Sequence, residues 1–387
     1  MGQIREEIKQ GLTKEIVNDI IGVLSERFLG TKPASDRPEA AAEAPPAPEK
    51  KPAQGPSARE RIAAVKALPI RRDTCERAIC EVTLGATREQ GGTRGRTYTI
   101  GGDTCMPFHL WEGDMPNRPL VAMEVFDRVS PKYPQVLREI WGDLLNDPAK
   151  MARACVDRYG ADLISVRLEG THPEKGNMSP GEALEVVRSV LQAVDVPLIV
   201  TGHSHFDSNN EVMKEIAKGC AGENLLLSWV EQDNYRTIAG AALAYGHTVV
   251  AQSPIDVNIA KQLSILLGNM NIPLEKIVID PITSAIGYGI EYTYSVMERI
   301  RLTGLGGDAA LALPMIVTPG QECAKIKEFK ASSSDFPAWG ELGKRAALWE
   351  LSTATSLLYA GASVLVMYHP EAAVALKKTI EELMDGR

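Results

Sequence analysis

Two histidines separated by one residue, His203 and His205, follow the apolar run PLIVT. Alternate residues of an extended segment point to the same side, so both imidazoles could reach one metal ion. His172, His369 and Asp280 could complete a site of the kind that metal-dependent hydrolases use. The alternative is that these imidazoles hydrogen-bond to loop carbonyls. We favour it, because barrel hydrolases usually carry such a pair after the first strand and this pair follows the third.

A second group of side chains could bind a polar ligand by hydrogen bonds. Asp280 ends an apolar run in the segment VIDP, and Asp256 and Asn258 follow another run in SPIDVN. Aspartates at these places are also typical helix or loop caps, so both roles stay open. No Ser/His/Asp or Cys/His arrangement is present, and we assign no catalytic residue. The candidate ligand-binding residues lie near or after the carboxyl ends of predicted strands: Asp127, Arg167, His203, Glu231, Asn234, Gln252, Asp256, Asn258 and Asp280.

The segment 222–258 shows which elements position these groups. A short apolar run (LLL) ends in the polar residues EQDN, an Ala-rich helical stretch follows, and a second apolar run (VVA) ends in QSPIDVN. Strands that are apolar on both faces are typical of a parallel sheet, and parallel strands need a crossover such as a helix. The segment is therefore predicted to be a strand–helix–strand unit. In such folds ligands bind where the strands end.

The same alternation continues from residue 120 to the end of the chain. Eight strands with following helices over roughly 250 residues match a (β/α)₈ TIM barrel, which we predict for residues 120–387. An open doubly wound sheet is the alternative, but it usually has a Gly-rich fingerprint after its first strand, and FDRV is not one. The predicted strands are 120–126, 162–170, 197–205, 225–227, 249–251, 276–280, 314–320 and 363–369.

Three further segments precede the predicted barrel. Residues 1–30 have apolar residues at helical spacing and are predicted to form an amphipathic helix, either lying on the main domain or docking on another subunit. Residues 31–57, rich in Ala, Pro, Glu and Lys, are predicted to be an extended linker. Residues 58–119 contain two predicted strands, 79–84 and 96–100, around the turn GATREQGGTRG. This turn has no Gly-Lys-Ser/Thr, so a hairpin is favoured over a phosphate-binding P-loop.

Composition excludes several classes of protein. A net charge of −8 argues against nucleic acid as the main partner. No apolar run is long enough to cross a bilayer, and no signal peptide is recognisable, so we expect neither a membrane partner nor secretion. Six scattered cysteines indicate a reducing cytoplasm rather than a disulfide framework. Their spacing predicts no iron–sulfur cluster in this chain.

Several long motifs resemble one known family. They are VTLGATREQGGTRGRTYTIGGD, PFHLWEGDMPNRPLVAMEVFD, GENLLLSWVEQDNY, SPIDVNIAKQLSILL, VIDPITSAIGYGIEYTYSVMERIRL and the closing MYHPEA. In this order they resemble the small subunit of the corrinoid iron–sulfur protein, whose archaeal equivalent is the delta subunit of acetyl-CoA decarbonylase/synthase. The resemblance covers about residues 78–385, and the segments 1–30 and 31–57 are not part of it.

The resemblance implies a TIM barrel paired with a large (gamma) subunit that carries the iron–sulfur cluster and a corrinoid of the cobalamin type. The two subunits would move a methyl group from a methyl-pterin, by way of a methyltransferase, to acetyl-CoA synthase. The candidate residues from Asp127 to Asp280 would then contact the corrin, whose rim carries amides. The alternative is a methyltransferase that binds a pterin itself, because VIDP is similar to the aspartate-bearing strand end of pterin-binding barrels.

Overall fold

The computed structural model describes residue 72 and residues 74–385. The predicted helix at 1–30 and the linker at 31–57 therefore lie outside the described residues, and so does the beginning of the segment 58–119. The described chain starts with an antiparallel hairpin of two short strands, β1 (Val82–Leu84) and β2 (Tyr98–Ile100). The hairpin prediction is thus confirmed, with strands shorter than the sequence indicated.

Eight parallel strands then form a closed barrel in which β10 pairs back to β3. The closure confirms the predicted (β/α)₈ TIM barrel, and the open doubly wound sheet is excluded. The barrel strands are β3 (Leu120–Phe126), β4 (Leu163–Arg167), β5 (Leu198–Thr201), β6 (Leu226–Val230), β7 (Thr248–Gln252), β8 (Ile277–Asp280), β9 (Met315–Val317) and β10 (Ala362–Met367).

Helices surround the barrel and follow the strands in the predicted alternation. A short helix, Gln135–Trp141, lies between β3 and the helix Pro148–Tyr159, and two short helices lie between β9 and the helix Leu342–Tyr359. The helices are α1 (Gln135–Trp141), α2 (Pro148–Tyr159), α3 (Pro180–Ala193), α4 (Phe206–Gly219), α5 (Tyr235–Tyr245), α6 (Val257–Asn269), α7 (Ile290–Leu305), α8 (Pro319–Cys323), α9 (Lys327–Lys330), α10 (Leu342–Tyr359) and α11 (Pro370–Asp385). Among the described residues, none of these helices is both long and apolar enough to cross a bilayer.

Side chains of the barrel strands alternate between two cores. The outer core lies between the strands and the helices, and the inner core fills the barrel. In β3, for example, Leu120 and Ala122 point inward and Val121 and Met123 point outward. Both faces are apolar, which is why these strands read as continuous apolar runs. Because of this alternation, the inward-pointing residue two positions further along each strand lies at the carboxyl end of the barrel.

The hairpin closes the opposite, amino-terminal end of the barrel. Val82, Leu84 and Ile100 are buried in the inner core together with strand residues such as Leu120 and Leu226. In barrels of this kind chemistry is found at the other, carboxyl end. The hairpin therefore seals the bottom of the barrel and leaves the carboxyl end as the open one.

Candidate functional site

The inward positions change from apolar to polar at the carboxyl end of the barrel. Glu124 follows Ala122 on the same face of β3, and its carboxylate accepts hydrogen bonds from three neighbours. Arg167 Nε donates to Glu124 Oε1 at 2.5 Å, Tyr368 OH donates to the same oxygen at 2.7 Å, and Ser165 Oγ donates to Oε2 at 2.8 Å. Arg167 Nη2 also donates to Gln321 Oε1 at 2.6 Å. These residues form a buried polar layer above the apolar inner core.

The ion pair in this layer is almost completely removed from water. The side chains of Arg167 and Glu124 are 6% and 1% exposed. Burial by itself lowers the pKa of Arg167, but the Glu124 carboxylate outweighs this effect and the pKa is raised overall. Arg167 therefore stays charged at any physiological pH. Because Glu124 already compensates this charge, Arg167 is fixed in place rather than free to bind an anionic ligand.

A cavity of about 200 Å³ lies above this layer, with Asp280 in its wall. Asp280 Oδ2 accepts a hydrogen bond from Gln252 Nε2 at 2.9 Å, and Oδ1 accepts one from the amide of Ile282 at 2.8 Å. Burial raises the pKa of Asp280 to about 6, although these two hydrogen bonds favour the charged form. Each carboxylate oxygen keeps a free lone pair, so Asp280 can accept a further hydrogen bond from a ligand in the cavity.

A second cavity, of about 250 Å³, shares Gln252 and Ile282 with the first. Glu231 lines it and accepts a hydrogen bond from Trp229 Nε1 at 2.6 Å. Asn234, at the start of α5, accepts the amide of Glu231 through Oδ1 at 2.8 Å. The Nδ2 of Asn234 is buried and has no hydrogen-bond partner among the described residues. Asn234 itself does not line the cavity, although its neighbours Glu231 and Asp233 do, and a buried donor without a partner is costly unless something binds to it.

The histidines form a separate cluster beside these cavities. The rings of His172, His203 and His205 lie with centroids 5.1 to 6.4 Å apart. His203 is buried, and burial together with the two neighbouring imidazoles lowers its pKa to about 4. Its Nδ1 accepts the amide of His205 at 3.2 Å, while its Nε2 has no partner within the described part of the chain. His205 caps α4, because its Nδ1 accepts the amide of Ser208; this is a structural role, but the partner is an amide and not the loop carbonyl that we expected.

The metal site suggested by the histidine spacing is not assembled. His369 is buried apart from the cluster, and both of its ring nitrogens lack partners among the described residues. Asp280 lines the cavity of about 200 Å³, whose wall includes none of these histidines. Within residues 74–385, no group of three His, Cys, Asp or Glu side chains is placed to hold a metal ion.

Five of the predicted ligand-binding residues lie outside the walls of the two cavities: Asp127, His203, Asn234, Asp256 and Asn258. Asp127 accepts the amides of Gly170 and Arg128, which ties the loop after β3 to the loop after β4. Asp256 caps α6 by accepting the amides of Asn258 and Ile259. Asn258 is exposed on the first turn of α6. By contrast, the structure brings together Arg167, Gln252 and Asp280 around one cavity, and Glu231 with Gln252 around the other.

Two buried residues of this end were missed from the sequence. Tyr368 lies two positions after the inward Val366 of β10, so strand alternation could have identified it. Glu350 lies on α10 and is completely buried, and it accepts the amides of Tyr368 and His369 at 2.6 and 3.1 Å. Burial raises its pKa to about 8. No sequence signal links this helix residue to a strand end, because the contact depends on how α10 packs on β10.

Comparison with known proteins gives a consistent result. Residues 81–376 match the family model of the CO dehydrogenase/acetyl-CoA synthase delta subunit. The chain is 37% identical over 308 residues to the acetyl-CoA decarbonylase/synthase complex subunit delta of Archaeoglobus fulgidus, a match that spans 78% of this chain and 68% of that protein. It is 38% identical over 310 residues to the same subunit of Methanopyrus kandleri, spanning 80% and 76% of the two chains.

Among solved structures, the chain is similar to dihydropteroate synthases. The enzyme of Vibrio fischeri ES114 matches with 14% identity and a TM-score of 0.49, over 71% of this chain and 96% of that chain. The enzyme of Xanthomonas albilineans matches with 17% identity and a TM-score of 0.47, over 73% and 99%. Likenesses at this level have no bearing on function. The resemblance stated from the sequence motifs is confirmed by the family model and the relatives: the chain belongs to the CO dehydrogenase/acetyl-CoA synthase delta subunit family.

Proposed function

We propose that this chain is the small subunit of a corrinoid iron–sulfur methyl carrier and covers the corrinoid that a large (gamma) subunit holds. Family membership supports a role as a subunit, since its relatives are named as subunits of the acetyl-CoA decarbonylase/synthase complex. When bound, the corrinoid would supply the cobalt that carries the methyl group, and this chain would shield and present it.

The observation that carries the proposal is that several buried polar atoms at the carboxyl end of the barrel lack partners among the described residues, two of them on predicted ligand-binding residues. Asn234 Nδ2 and His203 Nε2 are buried and lack partners among the described residues. Buried polar groups are nearly always satisfied, so each unpaired one points to a missing partner. The rim of a corrin carries amides that both donate and accept hydrogen bonds, so the residues present fit this group. Asn234 would donate to an amide oxygen, and Gln252, Glu231 and Asp280 would accept from amide nitrogens.

The layer beneath these residues would act as a rigid floor. Glu124 and Arg167 neutralise each other and are held by Tyr368, Ser165 and Gln321. This ion-paired, hydrogen-bonded floor gives a fixed shape to the open carboxyl end of the barrel, which we call the mouth. It adds no net charge that would attract other anions. The apolar inner core below excludes water from this side.

We further propose that the complex includes acetyl-CoA synthase/CO dehydrogenase and a methyl-pterin methyltransferase as partners, in the cytoplasm. The relatives are named as subunits of the acetyl-CoA decarbonylase/synthase complex, which supports the first of these partners. The six cysteines, all free thiols, are consistent with a reducing compartment.

The substitution Asn234→Asp tests the proposal. It keeps Oδ1, which accepts the amide of Glu231, and replaces only the unpaired donor by an acceptor. We expect affinity for the corrinoid-loaded large subunit to fall by about tenfold or more, because a donor to a corrin amide is lost. The measurement is calorimetric titration of the full-length chain with that subunit.

Asn269→Asp is the matched control, because it makes the same chemical change on the exposed end of α6, at the amino-terminal side of the barrel. If Asn269→Asp weakens binding as much as Asn234→Asp does, or if neither variant changes it, the mouth is not the surface that covers the corrinoid.

One observation favours a second candidate, a barrel that binds a pterin itself. Asp280 is a buried carboxylate with free lone pairs in a cavity of about 200 Å³, which has room for one planar heterocycle. This is smaller than most sites for whole ligands, which measure about 300–1,000 Å³. Titration of the isolated chain with methyltetrahydrofolate distinguishes the two candidates. Micromolar binding that Asp280→Asn abolishes would support the pterin-binding enzyme, and no binding would favour the carrier subunit.

A further inference from the structure

A large groove lies at the amino-terminal end of the barrel, opposite the mouth, and it is unusually rich in arginine. Its volume is about 840 Å³. The loops after β1, α3 and α4 and one side of α2 form its walls. Five arginines line it, against three carboxylates. The arginines are Arg88, Arg94, Arg96, Arg153 and Arg188. A groove with excess positive charge stands out on a chain whose net charge is −8.

Arg94 builds the groove and is not available to a ligand. It is 4% exposed, and its guanidinium donates to the carbonyls of Leu191 and Val194 at 2.7 Å each and to Glu223 at 3.2 Å. These bonds tie the glycine-rich loop of the hairpin to the ends of α3 and α4. A Cβ at Gly92 would lie 2.3 Å from the carbonyl oxygen of Ala86, so this loop can pack so tightly only with glycine there.

The loop does not offer backbone amides to an anion. The amides of Gln90, Gly91, Gly92 and Arg94 all donate to carbonyls of the same loop. A P-loop type of phosphate site is therefore ruled out for this turn by its own hydrogen bonds. With these four amides occupied, the guanidinium groups are the main donors that the groove offers to an anion.

Two exposed arginines of the groove, Arg88 and Arg153, form no ion pair among the described residues, although Asp157 also lines the groove. Arg153 donates from Nε to the carbonyl of Ala193 at 3.3 Å, and a carbonyl does not neutralise the charge. Arg88 forms no ion pair within the described part of the chain. Arg96 and Arg188 pair with Asp195 and Glu185, but these pairs are exposed and therefore weak enough to be exchanged for a ligand.

We propose that this groove binds a phosphorylated small molecule through Arg88 and Arg153, with Arg96 and Arg188 completing the site. Guanidinium groups bind phosphate oxygens in a bidentate manner, and several converging on one groove favour a ligand with more than one anionic oxygen. The volume lies within the range of about 300–1,000 Å³ that is usual for small-molecule sites. The groove is at the opposite end of the barrel from the mouth, so this site is independent of the proposed carrier function.

The test is calorimetric titration of the full-length chain with inorganic pyrophosphate at low ionic strength. We expect saturable binding that Arg88→Gln and Arg153→Gln each weaken by about tenfold, because each removes a charge-assisted hydrogen bond. Both side chains are exposed, so neither change should impair folding. Arg299→Gln, on the exposed face of α7, is the control and should leave binding unchanged.

Three results would overturn the assignment. They are no saturable binding of pyrophosphate by the wild-type chain, equal binding by wild type and the Arg88→Gln/Arg153→Gln double variant, and tighter binding of a glutamate-rich peptide than of pyrophosphate. The last result would mean that the groove docks an acidic protein segment instead.

Discussion

At the scale of single residues, the mouth of the barrel contains acids whose surroundings differ sharply. Glu124 has a buried arginine beside it, whereas Asp280 has only neutral hydrogen-bond donors. Burial is the main cause that raises the pKa of Asp280 to about 6, because the two neutral donors and the more distant charge of Arg167 offset it only in part. A buried carboxyl with a raised pKa lowers the free energy of unfolding at neutral pH. Stability therefore does not explain why Asp280 is at this position. A ligand that donates a hydrogen bond to it would provide that reason.

This cost predicts how Asp280→Asn behaves with pH. The carboxyl binds its proton more tightly in the folded chain, with a pKa of about 6 against a usual value of 3.8, so the wild type loses stability as pH rises through this window. Asparagine cannot ionise. The free energy of unfolding of the variant, relative to that of wild type, should therefore rise by up to about 3 kcal/mol between pH 3.8 and pH 8. Urea unfolding at several pH values measures this, and a difference that does not depend on pH would contradict it.

The buried ion pair of the floor supports a second prediction. Glu124→Met leaves the Arg167 charge buried without its carboxylate, and such a loss typically costs about 3–5 kcal/mol. Glu124→Met/Arg167→Met removes both charges and should recover much of this loss. A double-mutant cycle by urea unfolding measures the coupling. Single substitutions that each cost less than about 1 kcal/mol and add independently would show that the pair does not hold the floor.

Residue types after strand ends were predictable from sequence, but their roles were not. The periodicity placed both Asp127 and Asp280 at the carboxyl end of the barrel, as found. Which of them faces a cavity depends on loop conformation: Asp127 bends back to bind loop amides, whereas Asp280 stays inside. Asp256 could be read either as a ligand contact or as a cap, and the structure shows the cap. These outcomes are set by non-local packing, which composition and spacing do not record.

At the scale of elements, the hairpin is part of the barrel's inner core. Val82 and Leu84 are 0% and 1% exposed and pack under the ends of the strands. The short strands β1 and β2 would not be stable as an isolated hairpin in water, so they depend on this contact. The sequence predicted the hairpin from its turn glycines, but it gave no indication of which end of the barrel it covers.

The hairpin contact predicts a loss of stability when its core residue is truncated. Leu84→Ala removes a fully buried side chain and should cost about 2–5 kcal/mol in free energy of unfolding. Thr83→Ala, on the exposed face of the same strand, is the control and should cost about 1 kcal/mol or less. Urea unfolding compares the two. Equal costs would mean that the hairpin is not part of the barrel's core.

At the scale of the whole molecule, the chain combines a barrel with a long amino-terminal segment. The barrel was predictable because eight apolar runs separated by helical stretches leave few other architectures. Residues 1–57 lie outside the described residues, so the predictions of a docking helix and a linker stay predictions.

The predicted linker implies a specific pattern of proteolysis. A stretch rich in Ala and Pro cannot bury a core, so brief protease treatment should cut between residues 31 and 57. A stable fragment beginning near residue 58 should accumulate, which mass spectrometry of the digest identifies. If this stretch resists cleavage as well as the barrel does, it is not a linker.

The proposed function requires that the carboxyl end of the barrel covers a corrinoid held by another subunit. Hydrogen–deuterium exchange of the full-length chain, with and without the corrinoid-loaded large subunit, tests it most directly. We expect the large subunit to slow the exchange of backbone amides at 201–205, 231–234, 252–258 and 280–284, where the strands end at the mouth. Protection confined to the hairpin and the arginine groove at the other end, with the mouth unchanged, would contradict it.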